Sequence, residues 1–384
     1  KTGRLRPPRT VSTVPAGRLK GLFMEFGIFS NGFRPHTTAA QTYDEDIYEI
    51  VLADQLGFRD AYISEHHGEP PYINRVDTIP MPELLMAKAA GLTKHIRMGA
   101  AVRLLHLHHP LDVAVQAAVT EHLLGKGRFI FGFGSGFPSP LFCEERGLSF
   151  DDRHARLDES LEFILKCWGS DDIFDWDGEH WQGKGVVALP KPLSGSGLPM
   201  ATATDSESTI RMSAERGYTL LSAFLESAER LKPKADLYEK YAEAVGISAA
   251  RRNITASRIV YVADSYDEAV ADMREAVTHE ISVQAERGFL TMLKNVFNLE
   301  VPNDEGAIDV LADTGMYLLG DPESVAARIE EFYDAVGGFG TFLIVTGKNW
   351  ATREKRARSM TRFMEEVAPK LRHLDPGESQ VAAA

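Results

Sequence analysis

The chain is poor in cysteine and has no long apolar run. Only two of its 384 residues are cysteines, Cys143 and Cys167. They form neither a metal-spaced pair nor a disulfide framework. No apolar run approaches the roughly 20 residues that a membrane-spanning helix needs. These absences argue against a disulfide-stapled secreted domain and against a membrane partner, and we expect a protein of the reducing cytoplasm.

Net positive charge is also missing. The 42 Lys and Arg residues face 55 Asp and Glu residues, which gives a formal net charge of −13 at pH 7. Residues 1–20 carry six of the basic residues and no acid, so the rest of the chain is more acidic still. A surface of this sign does not favour nucleic acid or an anionic membrane. We therefore expect no nucleic-acid partner.

Familiar catalytic motifs are absent as well. The sequence contains no G-x-S-x-G elbow, no Walker loop and no H-E-x-x-H pair. The run of His106, His108 and His109 invites a metal site. However, no carboxylate or cysteine stands at ligand spacing nearby, and adjacent histidines in a strand rarely point the same way. We predict no metal.

What the sequence does contain is an alternation of short apolar runs with amphipathic segments. Hydrophobic residues make up 44% of the chain, enough for a large core. A repeated βα order is typical of a parallel sheet covered on both faces, and eight repeats predict one (β/α)8 TIM barrel with insertions over residues 22–372. The predicted strands are residues 23–29, 61–63, 98–105, 127–132, 200–204, 219–223, 254–262 and 341–345. The predicted helices are residues 43–56, 81–91, 111–124, 156–168, 206–216, 228–245, 322–336 and 352–371, and residues 266–277 are predicted to start one more. Residues 1–21 and 373–384 are predicted to be a flexible extension and a flexible tail.

Two stretches interrupt the alternation. Residues 171–189 are rich in Trp, Asp and Gly and predict a hairpin. Residues 284–316 show no clean period, and a stretch of about 30 residues of this kind is more often a functional lid than a plain connector. We predict a lid; the alternative is that its apolar stripe packs as core or as an oligomer contact. The stripe consists of Phe289, Leu290, Met292, Leu293, Val296 and Phe297.

The run Ser64-Glu65-His66-His67 directly follows the second predicted strand. In barrels of parallel strands, the carboxyl ends of the strands carry the active site. The third predicted strand also ends in a histidine-rich run, residues 106–109. Because imidazole exchanges a proton near neutral pH, the pattern favours a catalytic site over structural histidines, which remain the alternative.

Two further runs suggest a ligand. Residues 132–136, G-F-G-S-G, lack the dinucleotide-binding spacing, so they indicate either close backbone approach to a flat ligand or a plain glycine-rich strand exit. In residues 202–209 a strand ends and a helix begins, with Asp205 or Ser206 suited to the N-cap. Backbone N–H groups and the hydroxyls of Ser206 and Thr209 suit a phosphate, although the residues could simply cap the helix. Asp205 would oppose an anion unless it binds a hydroxyl.

Taken in order, these runs resemble the bacterial luciferase-like family of flavin-dependent monooxygenases, and most closely the branch that contains limonene monooxygenase. The resemblance covers about residues 22–371. It rests on the order of Ser64-Glu65-His66-His67, residues 93–99, His109-Pro110, residues 127–132 and Asp205-Ser206.

This resemblance implies an FMN-dependent monooxygenase of a two-component system. Such an enzyme takes reduced FMN from a separate NAD(P)H:flavin reductase, forms a flavin C4a-hydroperoxide with O₂ and oxygenates a small apolar organic substrate. His66 matches the catalytic histidine, and Ala101 and Val102 match a non-proline cis peptide beneath the isoalloxazine ring. The other positions that match cofactor-binding residues are Gly134, Ser135, Thr204, Asp205, Ser206 and Thr209.

The chain departs from the luciferase at Ser135 and His154, where the luciferase has arginines. That leaves Arg153 or Arg156 to supply charge for the phosphate. An apolar substrate cavity is expected to be lined by Phe33, Leu105, Phe137 and Phe224. A homodimer is expected. Two alternatives stay open: a 5-deazaflavin-dependent enzyme that transfers hydride without oxygen, and a non-catalytic flavin-binding protein.

Overall fold

The computed structural model describes residues 23–35, 37–68, 79–136, 140–223, 226–286 and 288–377, without the side chains of Val296 and Phe297. The prediction of a flexible extension at residues 1–21 lies outside this range, as does most of the predicted tail. The first tail residues are packed: Leu374 is buried, and its carbonyl accepts a hydrogen bond of 2.9 Å from the backbone N–H of Met24.

Strands and helices alternate along most of the described chain. The strands are β1 (Glu25–Ser30), β2 (Asp60–Ile63), β3 (Arg97–Ala100), β4 (Arg103–Leu104), β5 (Phe129–Gly134), β6 (Phe174–Asp177), β7 (Gln182–Val186), β8 (Met200–Thr202), β9 (Thr219–Leu220), β10 (Thr255–Val262), β11 (Tyr317–Gly320) and β12 (Thr341–Thr346). The helices are α1 (Ala39–Leu56), α2 (Pro82–Ala90), α3 (Pro110–Leu124), α4 (Pro140–Glu145), α5 (Arg153–Gly169), α6 (Glu207–Glu215), α7 (Ala228–Ala244), α8 (Tyr266–Ala285), α9 (Phe289–Phe297), α10 (Ala307–Asp313), α11 (Pro322–Val336) and α12 (Arg353–Arg362).

Eight parallel strands close into a barrel, and the predicted fold class is confirmed. The ring runs β1, β2, β3, β5, β8, β9, β10 and β12, with β12 paired to β1 from Glu25↔Thr341 to Ser30↔Thr346. A parallel bridge between Leu220 and Ile254 joins β9 to β10. Because the strands are parallel, their carboxyl ends meet at one rim, where the predicted site residues lie.

Some boundaries differ from the predictions. The third predicted strand ends at Ala100, and a short β4 follows a cis peptide between Ala101 and Val102. The histidine run after it is therefore not in a strand: Leu105–Leu107 is a 3₁₀ turn. The fourth predicted strand, β5, continues to Gly134. The sequence analysis missed β11. This strand directly follows the irregular region 284–316 and pairs with the carboxyl-terminal half of β10.

Local signals explain several helix ends, although α1 begins at Ala39 and not at the predicted residue 43. Thr38 and Gln41 form a capping box at the start of α1, and Gly57 ends that helix in the left-handed region at φ 87°. Asp321 accepts a hydrogen bond from the backbone N–H of Ser324, and Pro322 occupies the first turn of α11. These bonds satisfy backbone groups that a helix end leaves unpaired.

The region 284–316 divides into two helices with different packing. Residues of α10 lie in a core cluster with α8 and β11, where Ile308 and Leu311 are fully buried. In α9, Leu293 is buried in the same cluster, whereas Phe289 and Leu290 are partly buried and Met292 is exposed. The lid stays a prediction, and α9 is the part of the region with the looser packing.

Among the described residues, no helix is both long enough and apolar enough to span a bilayer.

Candidate active site at the carboxyl rim of the barrel

One carboxylate joins the loops that follow the second and third barrel strands. Glu65 Oε2 accepts hydrogen bonds from Arg103 Nη1 at 3.0 Å and from the backbone N–H of Leu104 at 3.1 Å. Glu65 Oε1 lies 2.6 Å from His67 Nε2 and 3.0 Å from His108 Nε2. We call Glu65, His67, Arg103 and His108 the Glu65 cluster.

The electrostatics of this cluster keep Glu65 ionised. Its side chain is fully buried, and burial alone would raise its pKa. The hydrogen bonds from His108 and His67 and the charge of Arg103 outweigh burial, so the pKa of Glu65 is far below its usual value. The carboxylate therefore acts as a fixed anion that holds both loops.

Glu65, His67 and His108 are also a chemically possible metal-ligand set, since one ligand atom from each lies within 4.8 Å of the others. Hydrogen bonds already account for the geometry, because both oxygens of Glu65 have protein partners. The positive charge of Arg103, 3.0 Å away, opposes a cation here. The prediction of no metal stays a prediction.

The other histidines of the two runs occupy different environments. His66, the predicted catalytic residue, is half-buried, and its backbone N–H donates to the carbonyl of Ile79 at 3.1 Å. His109 is exposed, and its Nδ1 caps α3 by accepting from the backbone N–H of Leu111 at 3.2 Å. His106 is 1% exposed, neither ring nitrogen has a hydrogen-bond partner among the described residues, and burial lowers its pKa to about 4.

The cis peptide implied by the resemblance is present between Ala101 and Val102. Gly134 is next to it: a Cβ at position 134 would lie 2.7 Å from Cγ2 of Val102 and 3.3 Å from the carbonyl oxygen of Ala203. The structure thus brings Ala101, Val102, Gly134 and the start of the 203–209 segment together, with Ser135 half-buried beside them. The lack of a side chain at Gly134 lets the end of β5 pack directly against Val102.

At Gly132 the neighbouring backbone comes closer still. A Cβ there would lie 1.7 Å from the carbonyl oxygen of Ala100, so the close approach of β5 and β3 requires glycine. Strand packing, and not the approach of a ligand, therefore explains the glycine at position 132.

The start of α6 is exposed and polar. Ser206 is the N-cap residue, but its side chain makes no capping hydrogen bond within the described chain; its hydroxyl lies 2.8 Å from that of Ser208 instead. The backbone N–H of Ser206 donates to Thr204 Oγ1 at 3.0 Å. Asp205 is 59% exposed and Thr209 half-buried. We call Thr204, Asp205, Ser206 and Thr209 the α6 site.

Two cations that the sequence analysis missed lie beside the α6 site. Lys234 Nζ is 3.0 Å from Asp205 Oδ1, and Arg230 Nη2 is 3.8 Å from Asp205 Oδ2. Both residues are on α7. Their spacing of four is an ordinary feature of an amphipathic helix, so it carried no signal for a site.

The arginines expected to supply phosphate charge are engaged elsewhere. The guanidinium of Arg153 lies 3.9 Å from the centre of the Phe150 ring. Arg156 stacks 4.0 Å from the Trp181 ring, and its Nε donates to the carbonyl of His106 at 3.0 Å. Of the expected cavity residues, Phe33 and Leu105 are fully buried, with Leu105 in the main core. Phe137 and Phe224 lie outside the described residues.

The sequence profile of luciferase-like monooxygenases matches residues 24–338, which is most of the chain. The chain belongs to this family. Limonene 1,2-monooxygenase of Rhodococcus erythropolis is 26% identical over 355 residues, which cover 90% of this chain and 86% of that protein. The 4-hydroxyprotoasukamycin monooxygenase of Streptomyces nodosus subsp. asukaensis is 30% identical over 330 residues, covering 83% and 84%.

A solved structure extends this likeness to three dimensions. The oxygenating constituent of 3,6-diketocamphane monooxygenase from Pseudomonas putida, a type II Baeyer-Villiger monooxygenase solved in complex with FMN, superposes with a TM-score of 0.77. It is 25% identical, and the match covers 91% of this chain and 99% of that one. The predicted membership of the luciferase-like monooxygenases, and with it an oxidoreductase activity, is confirmed.

Proposed function

We propose that this luciferase-like monooxygenase is the oxygenating component of a two-component system that uses reduced FMN and O₂ to oxygenate a small apolar organic substrate. The observation that carries the proposal is the likeness to the FMN complex of the diketocamphane enzyme over nearly its whole length. When bound, reduced FMN supplies the electrons that activate O₂, one oxygen atom going to the substrate and the other to water.

The residues at the rim fit this cofactor. Gly134 carries no side chain that would obstruct the flat ring system, and Ala101, Val102 and Ser135 lie beside it. The hydroxyls and backbone N–H groups of the α6 site, Thr204, Asp205, Ser206 and Thr209, suit the ribityl chain and the phosphate. A flavin held between these two groups of residues would lie along one arc of the rim.

His66 is the proposed catalytic residue. It stands next to Glu65 in a loop whose position the Glu65 cluster fixes, so its imidazole can exchange a proton at a defined place on the rim. The region 284–316, and α9 in particular, is the proposed cover that keeps water from the reacting groups.

Two protein partners belong to the proposal. A separate NAD(P)H:flavin reductase supplies the reduced cofactor. A second copy of the chain would cover an apolar face of the neighbouring helices α2 and α3, where Leu84 is 66% exposed and Leu123 57% exposed. Sedimentation at several concentrations tests the dimer.

Coupled turnover with a flavin reductase, NADH, FMN, O₂ and a panel of terpenoid, aromatic and aliphatic substrates tests the activity. His66→Ala should lower product formation by about a hundred- to ten-thousandfold, the usual contribution of a positioned acid or base, while reduced flavin is still consumed and peroxide released. His109→Ala, which changes an exposed helix cap, is the matched control. Wild-type product yield in the His66 variant would remove His66 from the mechanism.

The same assay separates the alternatives. Product formation that continues without O₂ and requires a 5-deazaflavin would replace oxygenation by hydride transfer. Flavin binding without turnover on any member of the panel would favour a binding protein.

A further inference from the structure

We propose that Lys234 and Arg230 of α7 supply the positive charge that holds the phosphate of the flavin, so that this pair makes the chain selective for a phosphorylated flavin. The inference rests on the proposed function and identifies cations for its phosphate site. They take the place of the two arginines that the chain lacks at Ser135 and His154.

The contacts of Lys234 place its charge at the rim. Its ammonium bridges Asp205, which precedes α6, and Glu226, in the loop after β9. The side chain is only 15% exposed, although Asp205 is 59% exposed. A cation held in this way cannot swing far from the α6 site, and a lysine acts on phosphate as a point charge.

This pair also resolves the difficulty that Asp205 poses for an anion. A lone carboxylate beside the first turn of α6 would repel a phosphate. Here Lys234 lies 3.0 Å and Arg230 3.8 Å from the carboxylate of Asp205, so its charge is offset. Because Asp205 is mostly exposed, it can turn towards water; Arg230 then faces the phosphate, and Lys234 shares its charge between the phosphate and buried Glu226.

The remaining nearby arginines are less suited to this role. Arg153 and Arg156 stack on Phe150 and Trp181. Arg211, on α6 itself, is paired with Glu215 at 2.7 Å, one turn further along the helix. Within the described chain, Lys234 and Arg230 are the cations paired directly with a residue of the α6 site.

The test compares reduced FMN with reduced riboflavin, which differ only in the phosphate, by anaerobic titration calorimetry. Lys234→Met and Arg230→Met should each weaken FMN binding about ten- to a hundredfold, the effect of losing a hydrogen bond to a charged group, and leave riboflavin binding within about twofold. Lys234→Arg should retain most FMN affinity. Lys232→Met is the matched control, since Lys232 is on the same helix but pairs with Asp236.

The outcomes separate this inference from the proposed function. Unchanged FMN affinity in both methionine variants, or an equal loss for the two flavins, would overturn the role of the pair. A wild-type chain that binds neither flavin would instead count against the proposed function itself. Because Lys234→Met leaves buried Glu226 without its cation, urea unfolding of each variant shows that the protein titrated is folded.

Discussion

The two groups of residues on the barrel rim are built in opposite ways. In the Glu65 cluster, a buried carboxylate uses both oxygens and binds groups from two loops. In the α6 site, Asp205 and Ser206 are exposed and the two threonines half-buried, and the hydroxyl of the N-cap residue pairs with a neighbouring serine instead of capping the helix.

This difference indicates that the two groups of residues have different roles. Buried polar groups that pair with one another are costly to disturb, so the Glu65 cluster is suited to hold one geometry. Exposed hydroxyls exchange water for a ligand at little cost, so the α6 site is suited to a cofactor that arrives reduced and leaves oxidised. The comparison predicts that changes at the first group act on folding, whereas changes at the second act on binding.

The largest expected effect on stability is that of Glu65→Ala. The variant leaves the buried Arg103 with only the more distant Glu83 carboxylate, at 3.7 Å, and Gln116, and it leaves the backbone N–H of Leu104 without its acceptor. Removing one partner of a buried ion pair costs about 3–5 kcal/mol, which urea unfolding would measure. Asp44→Asn, which breaks the exposed pair with Lys88, should cost less than about 1 kcal/mol. An equal loss in the free energy of unfolding for the two variants would contradict the proposed structural role of the Glu65 cluster.

The double variant Ser206→Ala/Thr209→Ala tests the role of the α6 site in flavin binding. Each proposed hydrogen bond to the charged phosphate is worth about 1.5–3 kcal/mol, so affinity for reduced FMN should fall by about a hundredfold or more. The free energy of unfolding without flavin should change little, because neither side chain makes a capping bond. Unchanged affinity for reduced FMN would place the phosphate elsewhere.

The burial of His106 predicts that the folded protein loses stability at acid pH. Its pKa is lowered to about 4 in the folded chain from the usual 6.5, so below pH 6.5 the unfolded chain takes up a proton that the folded chain does not. Stability is therefore lost as the pH falls from 6.5 towards 4, by about 2 kcal/mol at pH 5. The pKa of Glu65 is lowered from 4.5, so its own contribution is lost only below that pH.

Unfolding by urea at pH 7 and pH 5 measures this loss. His106→Leu should remove the slope, while His95→Leu, at an exposed position, should keep it. A His106→Leu variant that loses as much stability as the wild type would assign the slope to another group.

The smallest expected effect concerns the cover of the rim. Among the described side chains of α9, only Leu293 is fully buried, whereas α10 buries Ala307, Ile308, Leu311 and Ala312. Hydrogen exchange should therefore be faster in Phe289–Phe297 than in Ala307–Asp313 without ligand, and should slow in α9 when FMN and substrate are added. Protection of α9 equal to that of α10 in both states would show a fixed element.

Much of the fold was predictable because its signals are local. Apolar periodicity and end signals such as Gly57 and Asp321 located the eight barrel strands and most helices. The predictions were less accurate where tertiary contacts decide. The third strand is interrupted at Ala101–Val102, and β11 exists because it pairs with β10, a contact between residues far apart in the chain.

The same division applies to the site. The sequence alone determined which runs stand at strand ends, because the order of strands and loops follows from local pattern, and so it indicated Glu65, His66 and Ser206. Only the tertiary structure decided their partners. His67 and His108 share one carboxylate although 41 positions separate them, and Lys234 reaches Asp205 across a helix pair. Charge pairing of this kind depends on the distance between two side chains in the folded chain. Local sequence pattern does not give that distance for residues far apart in the chain.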